Sequence, residues 1–255
     1  GNYCSKISVH NCVGPIFIRN FFSDADQAVN HAIEVNNCNV VLENCLAVSA
    51  KKAEFKLTNS EVVLSRSAFS YRNYNLSSLT SRYAEDGIGF HLVNSDVTLS
   101  SNPVEEGSTS IGDTGAIGED AAFVASRNTK GFVLDNSKIR GGFGRTAPAS
   151  VRSGGAMCSE LNTSAGVILN NSFVDVKGLV DVFGNNKGII ANNSFIKYEN
   201  LTVEGNQEEG IVSNKSTFLY DSENNLDVIG GGFDIARRQL ELSGNLVHLD
   251  LNRSS

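Results

Sequence analysis

Two adjacent acid pairs, Glu85-Asp86 and Glu119-Asp120, are the first places to look for acid–base chemistry in this chain of 255 residues. Hydrolysis of a glycosidic bond uses two carboxyl groups held at a defined separation. Neighbours on an extended strand point to opposite faces, so adjacency alone makes no such pair. The four histidines, His10, His31, His91 and His248, are scattered, and none has a neighbouring ligand in sequence. The five cysteines are Cys4, Cys12, Cys38, Cys45 and Cys158. No Cys/His spacing among them matches a zinc site. Cys12 and Cys38 share one position of a recurring phrase, where a disulfide competes with a stack of small buried thiols. The odd count, and the exchange of Cys for Ser at that position, favour thiols. These residue types assign no catalytic residue, metal ligand or cofactor site.

The elements that would position such residues are written in a repeat. "GVILNNSFVDVKG" (Gly166 to Gly178) returns as "GIIANNSFIKYEN" from Gly188 and as "GIVSNKSTFLYDS" from Gly210. "EFKLTNSEVVL" from Glu54, "GFHLVNSDVTL" from Gly89 and "GFVLDNSKI" from Gly131 fit the same phrase. "ISVHNC" from Ile7 and "IEVNNC" from Ile33 put Cys where Ser sits, and "LELSGNLVHL" from Leu240 reads as a degenerate last copy. The Asn column is Asn11, Asn37, Asn59, Asn94, Asn136, Asn171 and Asn193, with Lys215 and Gly244 in the last two copies. Its intervals are 26, 22, 35, 42, 35, 22, 22 and 29 residues. A recurring minimum with longer intervals between means one unit carrying insertions, the signature of stacked structural repeats.

Within the cleanest unit, "FVDV", "LVDVF" and "GIIA" are short apolar runs separated by Gly/Asn-rich turns. β-Branched and aromatic runs bounded by Gly and Asn read as strands. The nearest approach to a helix is "SDADQAVNHAIEV" (Ser23 to Val35), whose Ser-x-x-Asp start resembles a capping box. Three short strands per unit of about 22 residues predict an all-β fold, a parallel β-helix solenoid of about nine coils. Equivalent side chains then stack ~4.8 Å apart. Asn59, Asn94, Asn136, Asn171 and Asn193 are expected in one such stack. Asn tolerates the left-handed conformation of a tight bend, and stacked amides can bond along the axis. The leading Gly residues open the preceding corner.

On the "x-N-N-S-F" turn with its flanking aliphatics, the sequence resembles the pectate-lyase-like right-handed β-helix family over nearly the whole chain. The resemblance implies a fold, and one fold hosts many functions. Members of that family often cleave acidic polysaccharides with an Arg or Lys base and Ca²⁺-holding acids. The nearest lyase-like string is "RTAPASVR", Arg145 to Arg152, whose arginines lie further apart than the family's spacing. The Trp-Ile-Asp-His signature and the polygalacturonase motifs are missing. The chain has no Trp, the residue that usually lies against a pyranose face. The balance points away from an enzyme.

Three consecutive long intervals carry insertions at Ser65 to Asp86, Ser101 to Lys130 and Arg140 to Ala165. They are expected as three long lateral loops on one face, where function concentrates. They hold seven of the eleven Arg and three of the six Tyr. Tyr71, Arg72, Tyr74 and Arg82 are the candidate core of a protein–protein contact, since Tyr and Arg dominate interface energetics.

The net charge is −7 and no basic run occurs, so no nucleic-acid partner is expected. No stretch approaches eighteen apolar residues, so no membrane span is expected. Residues 1–255 read as one β-helix domain. Neither end looks like a cap, which implies a segment of a longer chain. The Asn/Ser/Gly-rich, Trp-free composition resembles the β-helical parts of phage tail spikes, fibres and baseplates. That resemblance implies a structural virion protein, assembled in host cytoplasm, with other virion proteins or copies of itself, a trimer included, as partners. A polysaccharide depolymerase that binds glycan, or a secreted adhesin, is the alternative.

Overall fold

The computed structural model describes residues 6–24, 29–48, 50–64, 68–71, 87–99, 123–142, 157–220, 240–243 and 247–252. Among them every regular element is a strand and every strand pairing is parallel. The described part of the expected helical turn, Ser23 to Val35, is strand at both ends. Its apolar residues Ile33 and Val35 alternate with Glu34, the period of a strand.

The described strands form two sheets. One has nine strands, in the order β1 (Ile7–His10), β3 (His31–Asn36), β5 (Ala53–Thr58), β8 (Ile88–Val93), β11 (Lys130–Asp135), β14 (Ala165–Asn170), β16 (Lys187–Asn192), β18 (Glu209–Asn214) and β21 (Val247–Asn252). Each of the first eight is the aliphatic run before one turn of the repeated phrase. The other has twelve strands arranged in two lanes. β2 (Pro15–Asp24), β4 (Asn39–Val48), β15 (Phe173–Phe183) and β17 (Phe195–Glu204) run through both lanes. The first lane is completed by β6 (Glu61–Leu64), β9 (Asp96–Leu99), β12 (Lys138–Gly142) and β19 (Thr217–Tyr220). The second is completed by β7 (Ala68–Tyr71), β10 (Phe123–Ser126), β13 (Met157–Glu160) and β20 (Leu240–Ser243).

The apolar columns of the sheets meet in one core. The nine-stranded sheet contributes Ile33, Phe55, Phe90, Phe132, Val167, Ile189 and Ile211 in register, each nearly or fully inaccessible. Phe55, Phe90 and Phe132 stack at centroid separations of 4.5 and 5.0 Å, and Phe123 of the second lane packs across them. Parallel stacking sets like on like, so one large residue per repeat makes a continuous column.

Two features depart from the sequence expectation. Segments read as loops contain the second-lane strands β7, β10 and β13, which pair with one another in register. The remaining connections 100–122 and 143–156 join first-lane to second-lane strands, as 221–239 does, whereas 72–86 joins the second lane to β8. Their attachment points therefore differ. In addition, "LELS" pairs with Leu201–Glu204 and β21 with Glu209–Asn214. The run "LELS" thus stands level with the strand before Gly205 rather than with one before the Asn column, and Gly244 itself lies outside the described residues. The chemical likeness of two Asn-containing corners hid this shift.

The Asn column is a row of left-handed residues. Asn59, Asn94, Asn136, Asn171 and Asn193 have φ of 47–52°, and Lys215 has φ 51°. Their side chains are exposed. Amide-to-amide bonds link Asn37 to Asn11 at 3.0 Å, Asn94 to Asn59 at 3.2 Å and Asn193 to Asn171 at 2.7 Å. Asn193→Leu is expected to cost about 1–2 kcal/mol, the left-handed penalty of a residue that lacks the short hydrogen-bonding side chain of Asn. Asn193→Gly is expected to be nearly neutral, a contrast that thermal melts would measure.

Candidate functional site

Among the described residues, polar chemistry is organised along the stacking axis, in three arrays. The first lies one residue beyond the Asn column. Ser60, Ser95, Ser137, Ser172, Ser194 and Ser216 are buried. The backbone N–H of each of the first five donates to the next hydroxyl at 3.0–3.2 Å. Each hydroxyl donates to the carbonyl two residues earlier, as Ser172 does to Asn170 at 2.7 Å. Cys38 and Cys12 extend the row as thiols, with the Cys12 N–H on Cys38 Sγ at 3.1 Å.

The second array is at the corner between the second lane and the nine-stranded sheet. Arg127, Leu161, Gly184 and Gly205 take left-handed φ of 54–65°. The residues after them, Asn128, Asn162, Asn185 and Asn206, are at most 1% exposed. Asn128 N–H donates to Asn162 Oδ1 at 2.9 Å, Asn162 N–H to Asn185 Oδ1 at 3.0 Å, and Asn185 N–H to Asn206 Oδ1 at 3.0 Å. Nδ2 of Asn162 and of Asn185 reach the same acceptors at 2.8 and 3.1 Å. The buried amide ladder of this fold therefore runs here, and the Asn column of the repeated phrase runs outside.

The third array can do proton chemistry. It lies on the outer face of the nine-stranded sheet, where half-buried residues alternate with core residues. Glu34, Lys56 and His91 share one register position on β3, β5 and β8, and Val93 and Asp135 share the next outward position on β8 and β11. Lys56 Nζ lies 2.9 Å from His91 Nδ1, and His91 Nε2 lies 3.1 Å from Asp135 Oδ2. Asp135 Oδ1 accepts from Asn170 Nδ2 at 2.8 Å, and Asn170 Oδ1 accepts from Asn192 Nδ2 at 3.0 Å. The carboxylate accepts the Nε2–H, which leaves Nδ1 as acceptor for the Lys56 ammonium. Histidine is thus held as one neutral tautomer between a cation and an anion. Burial pushes the His91 pKa below its ordinary value, and Lys56 lowers it further against the pull of Asp135. Burial likewise lowers that of Lys56, opposed by Asp135 and Glu34. On β3, burial lowers that of His31, while Lys6 holds Glu34 low through a 2.7 Å contact.

These shifts have a sign. The unfolded chain binds more protons than the folded one wherever a folded-state histidine pKa is depressed, so stability rises with pH there. The contribution of His31 and His91 is present above the ordinary histidine value of about 6.5 and is lost as pH falls below it. Melting temperatures are expected to drop from pH 7.5 to 5.5, and His91→Gln to flatten that slope.

The first array follows the repeated phrase, but local spacing does not point to the other two. The histidines read as scattered, yet His91 has partners 35 and 44 residues away. Among the contact candidates, Tyr71 closes β7, with its backbone paired to Val48 and Ser126. Arg72, Tyr74 and Arg82 lie outside the described residues, as do Glu85-Asp86, Glu119-Asp120, Arg145 and Arg152. Arg140 is strand, and its guanidinium is 2.7 Å from Asp96. No protein-family model, curated protein or solved structure matches the chain.

Proposed function

We propose that the chain is a right-handed parallel β-helix of about nine coils with long lateral loops, acting as a rigid spacer and docking body in a phage tail. The observation that carries this reading is the unbroken parallel register from β1 to β21, with hydrogen-bonded side-chain rows on two corners. Such a body resists bending because each repeat is bonded to the repeat on either side. The Asn/Ser/Gly-rich, Trp-free composition supports a virion part. The partners are other virion proteins or copies of this chain, a trimer included, met through Tyr71, Arg72, Tyr74 and Arg82.

An antibody to the chain, applied to phage particles released from the source cells, is expected to decorate the tail in electron micrographs. Replacing the four contact residues by Ala is expected to abolish assembly and to leave the circular dichroism unchanged. Labelling confined to the cell envelope would transfer the reading to an adhesin.

A further inference from the structure

The Lys56–His91–Asp135 array has a use that a spacer does not require. An amine becomes a nucleophile when it loses its proton, and a base within hydrogen-bond reach makes that loss easier. Lys56 has that base in His91 Nδ1 at 2.9 Å. His91 in turn has an orienting carboxylate at 3.1 Å, which stabilises the imidazolium that forms when it takes the proton. Asp135 is itself fixed through Asn170 and Asn192 on the next two strands. The groups come from strands rather than loops, so their mutual positions are set by sheet register. Lys187 provides the contrast, because its ammonium sits between Glu208 and Glu209 at 3.4 and 3.1 Å and its pKa is pushed up.

We propose that Lys56 is an activated amine that accepts an acyl group from an ester or thioester, with His91 as its base and Asp135 as its positioning residue. The ammonium first releases one proton to solvent through His91. The neutral amine then forms a C–N bond to the acyl carbon, and the bond from that carbon to oxygen or sulfur breaks. The second amine proton passes to His91 Nδ1 and on to the leaving alkoxide or thiolate. The products are an amide on Lys56, the free alcohol or thiol, and one proton; nothing is oxidised or reduced.

The test uses p-nitrophenyl acetate on the intact chain, with acetylation of each lysine followed by peptide mass spectrometry. Lys51 and Lys52, both exposed, are internal controls. At pH 7.5 Lys56 is expected to acetylate about a hundredfold faster than either, the lower end of what a positioned base contributes. His91→Gln is expected to bring Lys56 down to the control rate with an unchanged dichroism spectrum. The wild-type rate is expected to fall as acidification protonates His91. Asp135→Asn is expected to slow the reaction and to move that limb to lower pH, because the carboxylate raises the histidine pKa. A wild-type Lys56 that reacts no faster than Lys51 and Lys52 would overturn the proposal, and that comparison needs no variant to fold. So would an undiminished Lys56 rate in a folded His91→Gln protein.

Discussion

Asn185→Leu is expected to destabilise the protein by about 3–5 kcal/mol, since each buried polar group left unpaired costs about 1–3 kcal/mol. Asn185 Oδ1 accepts from the Asn162 N–H at 3.0 Å and from Asn162 Nδ2 at 2.8 Å, and Asn185 Nδ2 donates to the Ser159 carbonyl at 3.1 Å. Leu fills a similar volume and satisfies none of them. All of these groups are inaccessible to solvent, so water cannot substitute. The exposed Asn171, whose bond to Asn193 water can replace, is the control, and Asn171→Gly is expected to change little. Denaturant midpoints at constant slope would separate the two. Equal losses at the two positions would place the ladder energy outside, contrary to the geometry.

Gly131→Ala is expected to cost about 3 kcal/mol or more, the upper range for overpacking a dense interior. A Cβ there meets Ser159 Oγ and the Gly166 carbonyl oxygen, with Asn162 Nδ2 at 2.9 Å. Two of these atoms belong to the buried ladder and its support, and the third is backbone, so none can yield cheaply. The same crowding recurs at Gly188, where a Cβ meets the Gly210 carbonyl and Val203 Cγ1. Neither glycine has a positive φ. The leading Gly of the phrase is therefore required for close approach of successive repeats rather than for an unusual backbone. A folded Gly131→Ala protein with wild-type stability would contradict this packing.

Much of the fold was legible because parallel stacking copies a constraint from one repeat to the next. A left-handed bend favours Asn or Gly, so the Asn column marks the turns, and all its described members, Lys215 included, have φ near 50°. The aliphatic run before each column Asn, and before Lys215, became one strand of the nine-stranded sheet. The Ser after Asn recurs because its hydroxyl both donates and accepts at every step of the row. The second corner escaped notice because its bend residue varies among Arg127, Leu161, Gly184 and Gly205. Only the Asn after it is constant. The Lys56–His91–Asp135 array was hidden by distance along the chain. It becomes readable once the phrases are aligned, because Lys56 and His91 each stand three residues before the column Asn and Asp135 stands one before it.

The register itself is open to a single distance measurement. Asn39, Glu61, Asp96, Lys138, Phe173, Phe195 and Thr217 are consecutive partners across the first lane. Nitroxides carried on ketone side chains at positions 39 and 217 leave the native cysteines untouched. Pulsed electron resonance is expected to give one narrow interspin distance centred near 29 Å, six steps of ~4.8 Å. A broad distribution, or a centre far from that value, would contradict the stacked parallel register on which the account rests.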